Sequence, residues 1–356
     1  AAFANPDWYH RRGRLTDWSD PAQVLNADFP SGLRDLDTTR ADVREELIRV
    51  YGDWIERTDV DGFRLDAIKH VEHAFWREFC PAIRRRAEAL GKARFFLFGE
   101  AVEGDGHALA SFTLEGALDS VLDFRQRFVG FDGVFLRGEA TRVLEELWDE
   151  KERIYPRYPN PRGIEVPATR ALVTFLDNHD LPRSLSVRSD PRWLRATLAY
   201  QLTADGIPAL YYGVEQDFAG GKDPANREDL WSTGYATGGE TFGWIARLLE
   251  LRKRHEALRR GETVFRWTTD HSGDEPDAGI VAFERFTETE RVLVVVNASE
   301  HASRTSDGSG MRVGFAAGTE LVDALGSGDE PVRVSVDGTI EVEVPALGAR
   351  VLVPRG

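Results

Sequence analysis

Short apolar runs alternate with longer stretches of helical period between about residues 40 and 260. In the clearest helical stretch, residues 41–58, one face carries these apolar side chains: Val43, Leu47, Ile48, Tyr51, Trp54 and Ile55. The strand-like runs follow in the order 62–66, 94–101, 118–124, 171–180 and 206–213. Because strands that alternate with amphipathic helices typically form βα units, this pattern predicts repeated βα units around a parallel sheet.

The pattern changes after the last amphipathic stretch. From about residue 263 to 356, apolar runs are short and are separated by Gly, Asp and Ser clusters, which predicts an antiparallel β-sandwich. Residues 1–38 are rich in Asp, Pro and aromatic residues and predict an irregular loop segment. The sequence therefore predicts three segments, 1–38, 39–262 and 263–356. Trp54 and Trp76 stand at helical spacing, and we expect both in the core.

Composition excludes several classes of partner. The chain has 356 residues, 42% of them hydrophobic, and shows no run of about 18 apolar residues, so no membrane association is expected. A formal charge of −15 argues against nucleic acid, which needs a basic face. Acidic residues are abundant and lysines number only 5, which fits either a protein that works in high salt or a GC-rich genome.

Cysteine usage and the amino terminus leave the compartment open. The single cysteine, Cys80, excludes an intramolecular disulfide, so the fold depends on its core. No signal peptide is visible in the chain. Both an extracellular and a cytoplasmic location are consistent with these observations.

Acidic side chains stand directly after several of the strand-like runs. Asp66, Glu100 and the His179–Asp180 pair each occupy such a position. In a parallel barrel the carboxyl ends of the strands form one rim, so these groups are expected to converge on one pocket. One acid after a strand is more often a helix N-cap or a solvated loop residue than a catalytic group, and for Asp66 alone the N-cap comes first. Taken together, the acids predict a functional site. A rim crowded with acids destabilises the fold, so such a cluster is expected only where function requires it.

Three of these stretches, "GFRLDAIKH", "FGEA" and "FLDNHD", resemble signature regions of the α-amylase family of glycoside hydrolases. "GLRDLDTT" and "GIPALYYGVEQDFAGGKDPANREDLW" are also similar to family segments. The resemblance implies a (β/α)8 TIM barrel followed by a C-terminal antiparallel β-sandwich domain. Only strands four to eight of the barrel are identified, within residues 39–262. Residues 1–38 then resemble the remainder of the loop domain inserted after barrel strand three.

The resemblance implies a retaining α-amylase that cleaves α-1,4-glucosidic bonds of starch-type glucans. By motif position Asp66 would be the nucleophile, and Arg64 would keep its carboxylate ionised by charge pairing. Glu100 would be the acid that protonates the leaving oxygen and later the base that activates water. Asp180 resembles the third acid of the family, and His179 would hydrogen-bond the same sugar.

Further substrate contacts are implied on both sides of the scissile bond. Lys69, together with His70, would bind the leaving side of the glucan, although a solvated residue at a helix start is the alternative for Lys69. Asp223 and Arg227 resemble donor-side glucose contacts, and a structural salt bridge within the loop is the competing interpretation.

Calcium is the cofactor that the resemblance implies. Asp35 lies where the family often places a calcium-ligating carboxylate, and the main chain of His70 typically helps to bind the ion. Hard oxygen ligands suit calcium, but one acid and one carbonyl do not define a site. Arg34 replaces the proline that is common in this motif.

Strands one to three of the barrel are not found in the chain. A complete barrel takes about 250 residues, so either the chain is a fragment of a longer protein or a separate N-terminal segment completes the barrel. In both cases we expect the chain alone to show little activity. Three alternatives to an α-amylase stay open: a glucanotransferase or an α-glucosidase on the same scaffold, and a non-catalytic homologue that binds sugars.

Overall fold

The computed structural model describes residues 2–326, 328 and 330–355. Contacts divide the chain into two compact units, the first comprising residues 1–124 and 151–173 and the second comprising residues 125–150 and 174–356. No helix among the described residues is long and apolar enough to cross a bilayer. The segment boundaries predicted near residues 39 and 263 stay predictions.

Helices occupy much of the chain before residue 261. In chain order they are α1 Pro21–Asn26, α2 Ala41–Thr58, α3 His73–Ala89, α4 Gly106–Ser111, α5 Arg142–Ile154, α6 Ala168–Ala171, α7 Ser184–Val187, α8 Pro191–Thr203, α9 Glu240–Arg254 and α10 Glu256–Arg260. A π-helix, Gln126–Leu136, precedes α5.

Helix α2 shows how the apolar stripe is used in the first unit. Val43 and Ile55 are buried on this stripe, and the helix ends where Asp59 turns into the left-handed region with a φ of 57°. Trp54 was predicted in the core, but its exposed fraction is 54%. Each helical residue turns by about 100°, so Trp54 points about 100° away from its buried neighbour Ile55 around the helix axis. Trp76 on α3 is buried, as predicted.

A parallel sheet forms in the first unit. It contains β1 Gly62–Leu65, β2 Phe96–Gly99 and β3 Ser120–Val121, in the order β1–β2–β3. Further along the chain, β4 Val173–Phe175 pairs with β5 Ile207–Ala209. These strands are shorter than the apolar runs that predict them. The runs are longer because apolar residues beside a strand are buried too. Leu118 and Phe124, for example, are buried and flank β3 without belonging to it.

The C-terminal part of the second unit is antiparallel. Its strands are β6 Glu262–Trp267, β7 Ile280–Phe286, β8 Arg291–Asn297, β9 Ser303–Arg304, β10 Met311–Arg312, β11 Glu320–Asp323, β12 Val332–Arg333, β13 Thr339–Ile340, β14 Glu343–Val344 and β15 Ala349–Pro354. A six-stranded sheet has the order β12–β11–β15–β8–β7–β6, and β10–β13 and β14–β9 form two small pairs.

Strand β8 is covered on both faces. Val292, Val294 and Val296 belong to one apolar cluster, which also contains residues of α8 and α9. Leu293 and Val295 point to the opposite face and join a second cluster with residues of β10, β13 and β14. Because side chains alternate along a strand, a strand buried on both faces reads as an unbroken apolar run. This explains the run "RVLVVVN" in the sequence.

The acidic charge leads to a prediction about stability. With a formal charge of −15, self-repulsion opposes the compact state, and added salt screens it. We expect the thermal midpoint to rise from dilute to molar potassium chloride. A gain of about 1 kcal/mol corresponds to roughly 2–4 °C for a domain of this order of size. A midpoint that stays flat across this range would reject salt adaptation and leave genome composition as the explanation.

Candidate active site

Asp66 and Glu100 follow neighbouring parallel strands. Strand β1 pairs with β2 in a register that sets Leu65 opposite Gly99, so Asp66 and Glu100 leave the sheet side by side at its carboxyl edge. The Ala67 amide donates to Glu100 Oε2 at 3.0 Å, and the Ile68 amide donates to the Glu100 carbonyl at 2.9 Å. Two carboxyl groups are thus held on adjoining backbone segments.

The two acids differ in exposure and in partners. The side chain of Asp66 is 73% exposed, and Arg64 Nη1 forms a very short ion pair with Asp66 Oδ1. Arg64 reaches it because residues two apart on a strand share one face. Glu100 is buried. The arrangement offers one accessible carboxylate and one enclosed carboxyl group at the same sheet edge.

Gly99 explains how the turn after β1 comes so close to β2. A Cβ at this position would lie 2.4 Å from Ile68 Cδ1 and 2.8 Å from Leu118 Cδ1. These contacts are far shorter than ordinary van der Waals distances, so only glycine allows Ile68 to pack there. The glycine before Glu100 therefore keeps the acid next to the turn that carries Asp66.

Lys69 and His70 lie in the short 3-10 turn Ile68–His70. Lys69 Nζ donates to the Val102 carbonyl at 2.7 Å, and His70 Nδ1 lies 2.9 Å from the Val24 carbonyl. Burial lowers the pKa of His70, which favours the neutral ring. The lysine is therefore tied to the loop that follows Glu100.

The residues proposed for calcium do not form a calcium site as they are arranged. Asp35 Oδ2 lies 2.5 Å from His10 Nδ1, and the other ring nitrogen of His10 lies 3.1 Å from Asp37 Oδ1. Burial raises the pKa of Asp35 to about 6, against the opposing effect of His10. The described residues contain no group of three or more His, Cys, Asp or Glu side chains placed to hold a metal. Calcium prefers six to eight oxygen ligands, so Asp35 and the His70 main chain alone do not fit it.

The remaining predicted residues belong to the second unit and contact one another there. His179 Nε2 lies 3.2 Å from Asp180 Oδ2, and Arg227 Nη2 lies 3.6 Å from Asp180 Oδ1. Arg227 Nε also pairs with Asp223 Oδ1 at 2.6 Å. The predicted loop salt bridge between Asp223 and Arg227 is thus present, and it extends to Asp180.

Asn226 holds this group of residues in place, although the sequence did not single it out. Its side chain is fully buried, and Nδ2 donates to the carbonyls of His179 and Leu181 at 2.9 and 2.8 Å. Both carbonyls flank Asp180, so the amide fixes the backbone on either side of the acid. An asparagine between Ala225 and Arg227 in "PANRED" gives no sequence signal of this role.

Arg183 was also missed. Its side chain is fully buried, with Nε 3.1 Å from the Asn226 carbonyl and 3.0 Å from Glu228 Oε2. Nη1 donates to the Tyr212 carbonyl at 2.6 Å, and the guanidinium lies 4.1 Å from the centre of the Tyr211 ring. The guanidinium therefore joins three stretches of the second unit around the His179–Asp180 loop. An arginine three residues after Asp180 was the only sequence signal.

The predicted site residues fall into two groups, one in each compact unit. In the first unit are Asp35, Arg64, Asp66, Lys69, His70 and Glu100, and in the second are His179, Asp180, Asp223 and Arg227. Within the first unit, the structure brings Arg64, Asp66 and Glu100 to one sheet edge and leaves Asp35 paired with His10.

Comparison with known proteins gives one consistent family. The family model described as the catalytic domain of α-amylase matches residues 5–237. The α-amylase of Streptomyces lividans is 30% identical over 387 residues, covering 99% of this chain and 39% of that protein. The cyclomaltodextrin glucanotransferase of Klebsiella oxytoca is 29% identical over 335 residues, covering 83% of this chain and 48% of that protein. The chain thus spans less than half the length of either curated relative.

The same similarity holds in three dimensions. A crystal structure of an α-amylase from Anoxybacillus superimposes with a TM-score of 0.82 at 28% identity, covering 99% of this chain and 72% of that one. The parallel strands and the C-terminal antiparallel sheet fit the fold of this family. With the family model matching residues 5–237, the chain belongs to the α-amylase family of glycoside hydrolases.

Proposed function

We propose that the protein is a retaining glycoside hydrolase that cleaves α-1,4-glucosidic bonds of starch-type glucans. The observation that carries this proposal is the position of Asp66 and Glu100 at the ends of adjacent parallel strands, joined through the Ala67 amide at 3.0 Å from Glu100 Oε2. Retaining hydrolysis needs a nucleophilic carboxylate and a proton-donating carboxyl group about 5 Å apart. Neighbouring strand ends supply two such groups.

In the proposed mechanism Asp66 attacks the anomeric carbon. Its carboxylate is exposed enough to reach a sugar, and the ion pair with Arg64 holds it in position at the end of β1. Glu100 gives its proton to the glycosidic oxygen as the leaving group departs, and a glycosyl ester forms on Asp66. Glu100 then takes a proton from water, which attacks the ester and restores both groups. The Ala67 amide fixes the orientation of the Glu100 carboxyl group.

Substrate contacts are proposed for the remaining residues. Asp180 and His179 would hold sugar hydroxyls and stabilise the positive charge that develops at the reacting carbon. Asp223 and Arg227, which pair at 2.6 Å, would bind on the donor side. Lys69 would bind the leaving side of the glucan, because its ammonium group is already tied to the loop after Glu100.

A glucanotransferase is the second candidate. The observation that favours it is that the Klebsiella enzyme, a cyclomaltodextrin glucanotransferase, is about as similar to this chain as the Streptomyces α-amylase is. Both reactions share the glycosyl-enzyme intermediate and differ in whether water or a sugar hydroxyl attacks it. The Lys69–His70 pair argues against an α-glucosidase, and the three acids Asp66, Glu100 and Asp180 argue against a non-catalytic homologue.

Three predictions from the sequence stay open within this proposal. One assigns the parallel strands to positions four to eight of a (β/α)8 barrel, with the other strands coming either from the same protein or from a separate N-terminal segment. Within the described residues, β1 pairs only with β2 and lies at an edge of its sheet, which is compatible with a further strand. The second is calcium, and no step of the mechanism depends on it. The third is the compartment, extracellular or cytoplasmic.

Product analysis on starch tests the function. We expect linear maltooligosaccharides whose newly formed ends are initially α-anomers, because two displacements at one carbon restore its configuration. Proton magnetic resonance of the first products reports the anomer, and chromatography reports chain length. The assay is run on the chain alone and on the chain co-expressed with a segment that supplies three further βα units. Initial β-anomers would reject the retaining mechanism, and cyclic or acceptor-elongated products would favour the glucanotransferase.

A further inference from the structure

A cavity of about 380 Å³ lies in the second unit, away from the residues proposed for hydrolysis. Its size falls within the range of about 300–1,000 Å³ that is common for small-molecule sites. It is formed at the end of β6, the loop after it and the start of α5, and its lining includes Arg142, Glu145, Trp267, His271, Asp277 and Asp307. None of the residues assigned to the proposed catalytic or substrate contacts lines this cavity.

A β-bulge at the end of β6 sets the position of Trp267. Phe265 pairs with Phe283 and Trp267 with Ala282, so the register shifts by one residue between them. Bulges re-aim side chains and are frequent beside functional sites. The Trp267 ring packs against the apolar cluster of the sheet and stays partly exposed, while Nε1 donates to Asp277 Oδ2 at 3.3 Å. The indole is therefore fixed at the wall of the cavity.

The polar groups of the lining are held in fixed pairs. Glu145 Oε2 accepts hydrogen bonds from Arg142 Nη1 at 2.9 Å and from Thr268 Oγ1 at 2.5 Å. Asp277 Oδ1 lies 2.7 Å from His271 Nδ1, and the Asp277 side chain is only 5% exposed. The guanidinium, imidazole and carboxylate groups of the lining are thus held in fixed orientations beside one another. Such preorganisation lowers the entropy cost of binding a ligand with several hydroxyl groups.

The charge of the lining narrows the ligand class. Glu145, Asp270, Asp277 and Asp307 outnumber the cations Arg142 and Arg266, so an anionic ligand would be repelled. A metal ion has no suitable donor set, since no group of three or more metal-ligating side chains occurs within the described ranges. A neutral ligand with both an apolar face and hydroxyl groups suits an indole flanked by planar polar side chains.

We propose that this cavity is a second saccharide site that binds a short stretch of an α-glucan chain. The choice of an α-glucan rests on the proposed function, whereas the choice of a neutral saccharide rests on the cavity itself. One sugar ring would pack against Trp267, and its hydroxyls would bond to Glu145, Arg142 and the half-exposed His271, whose orientation Asp277 fixes. The site would hold a long glucan on the protein and would leave hydrolysis of short substrates unchanged.

Calorimetric titration with maltoheptaose tests the site. The titration uses the full chain with Glu100→Gln, which stops turnover. Replacing Trp267 with alanine in this background is expected to weaken the cavity's affinity at least tenfold, seen as the loss of one bound sugar chain per protein. His271→Ala, a change at a half-exposed side chain, is expected to weaken binding in the same direction. Trp54→Ala is the matched control, because Trp54 is a 54% exposed tryptophan on α2 in the first unit.

The outcomes separate this proposal from the proposed function. Unchanged stoichiometry and affinity in Trp267→Ala and His271→Ala would overturn the saccharide site, whether or not the chain hydrolyses starch. A chain without hydrolytic activity that still loses one bound maltoheptaose on Trp267→Ala supports the site and counts against the hydrolase. If circular dichroism shows that Trp267→Ala is unfolded, His271→Ala and Asp307→Asn decide the question by the same titration.

Discussion

Replacing Glu100 with glutamine is expected to lower starch hydrolysis by about 10²–10⁴-fold, the usual contribution of general acid–base catalysis. Asp66→Asn should lower it at least as far, because it removes the group that forms the glycosyl ester. Neither change alters side-chain volume much, and Asp66 is exposed, so the fold should be retained. Rates on soluble starch, measured on the chain co-expressed with a segment that supplies three further βα units, report the loss of activity, and circular dichroism of each variant reports the fold.

Azide distinguishes the two roles. In Glu100→Ala, azide can attack the glycosyl ester on Asp66 without base assistance, so activity should return with a product of retained configuration. In Asp66→Ala, azide replaces the missing nucleophile directly, and the product should have inverted configuration. Identical azide behaviour at the two positions would contradict the assignment. Glu103→Gln is the matched control, because Glu103 lies three residues beyond Glu100 and is not assigned a role.

Removing the charge of Arg183 is expected to lower the free energy of unfolding by about 3–5 kcal/mol, the cost of breaking one side of a buried ion pair. Arg183 is fully buried, and Glu228 would lose its partner at 3.0 Å in Arg183→Met. The carbonyls of Tyr212 and Asn226 would lose donors as well. Arg183→Lys keeps the positive charge but not the planar guanidinium with its several donors, so the free energy of unfolding is expected to fall by an intermediate amount. Denaturant titration measures these differences.

The control for Arg183 is an arginine close by in the chain. Arg192 on α8 pairs with Asp190 at 2.7 Å, but its side chain is 61% exposed. Exposed ion pairs contribute about 0–1 kcal/mol, so Arg192→Met should be nearly neutral. A loss below about 1 kcal/mol for Arg183→Met would mean that the buried guanidinium does not hold the loop around Asp180.

The order of local elements could be predicted from the sequence by itself. Helix α2 occupies the residues, 41–58, that the apolar period predicts, and β1 and β2 lie within predicted runs. Their type follows from local periodicity, which depends only on which residues stand three to four or two apart. The motif around Asp66 and Glu100 also indicated the family, since motif residues are read directly from the chain. The position of Asp66 and Glu100 at strand ends could also be predicted, because each acid directly follows an apolar run.

Tertiary structure alone decided which residues support the site. Arg183 lies more than 40 residues before Asn226 and Glu228 in the chain, and no local pattern indicates that it meets them. The exposure of Trp54 and the bulge that positions Trp267 likewise depend on what packs against each element. The contact between Asp35 and His10 joins two loop positions 25 residues apart. Local periodicity is fixed by the chain, whereas burial and pairing are fixed by long-range contacts that the chain forms only when it folds.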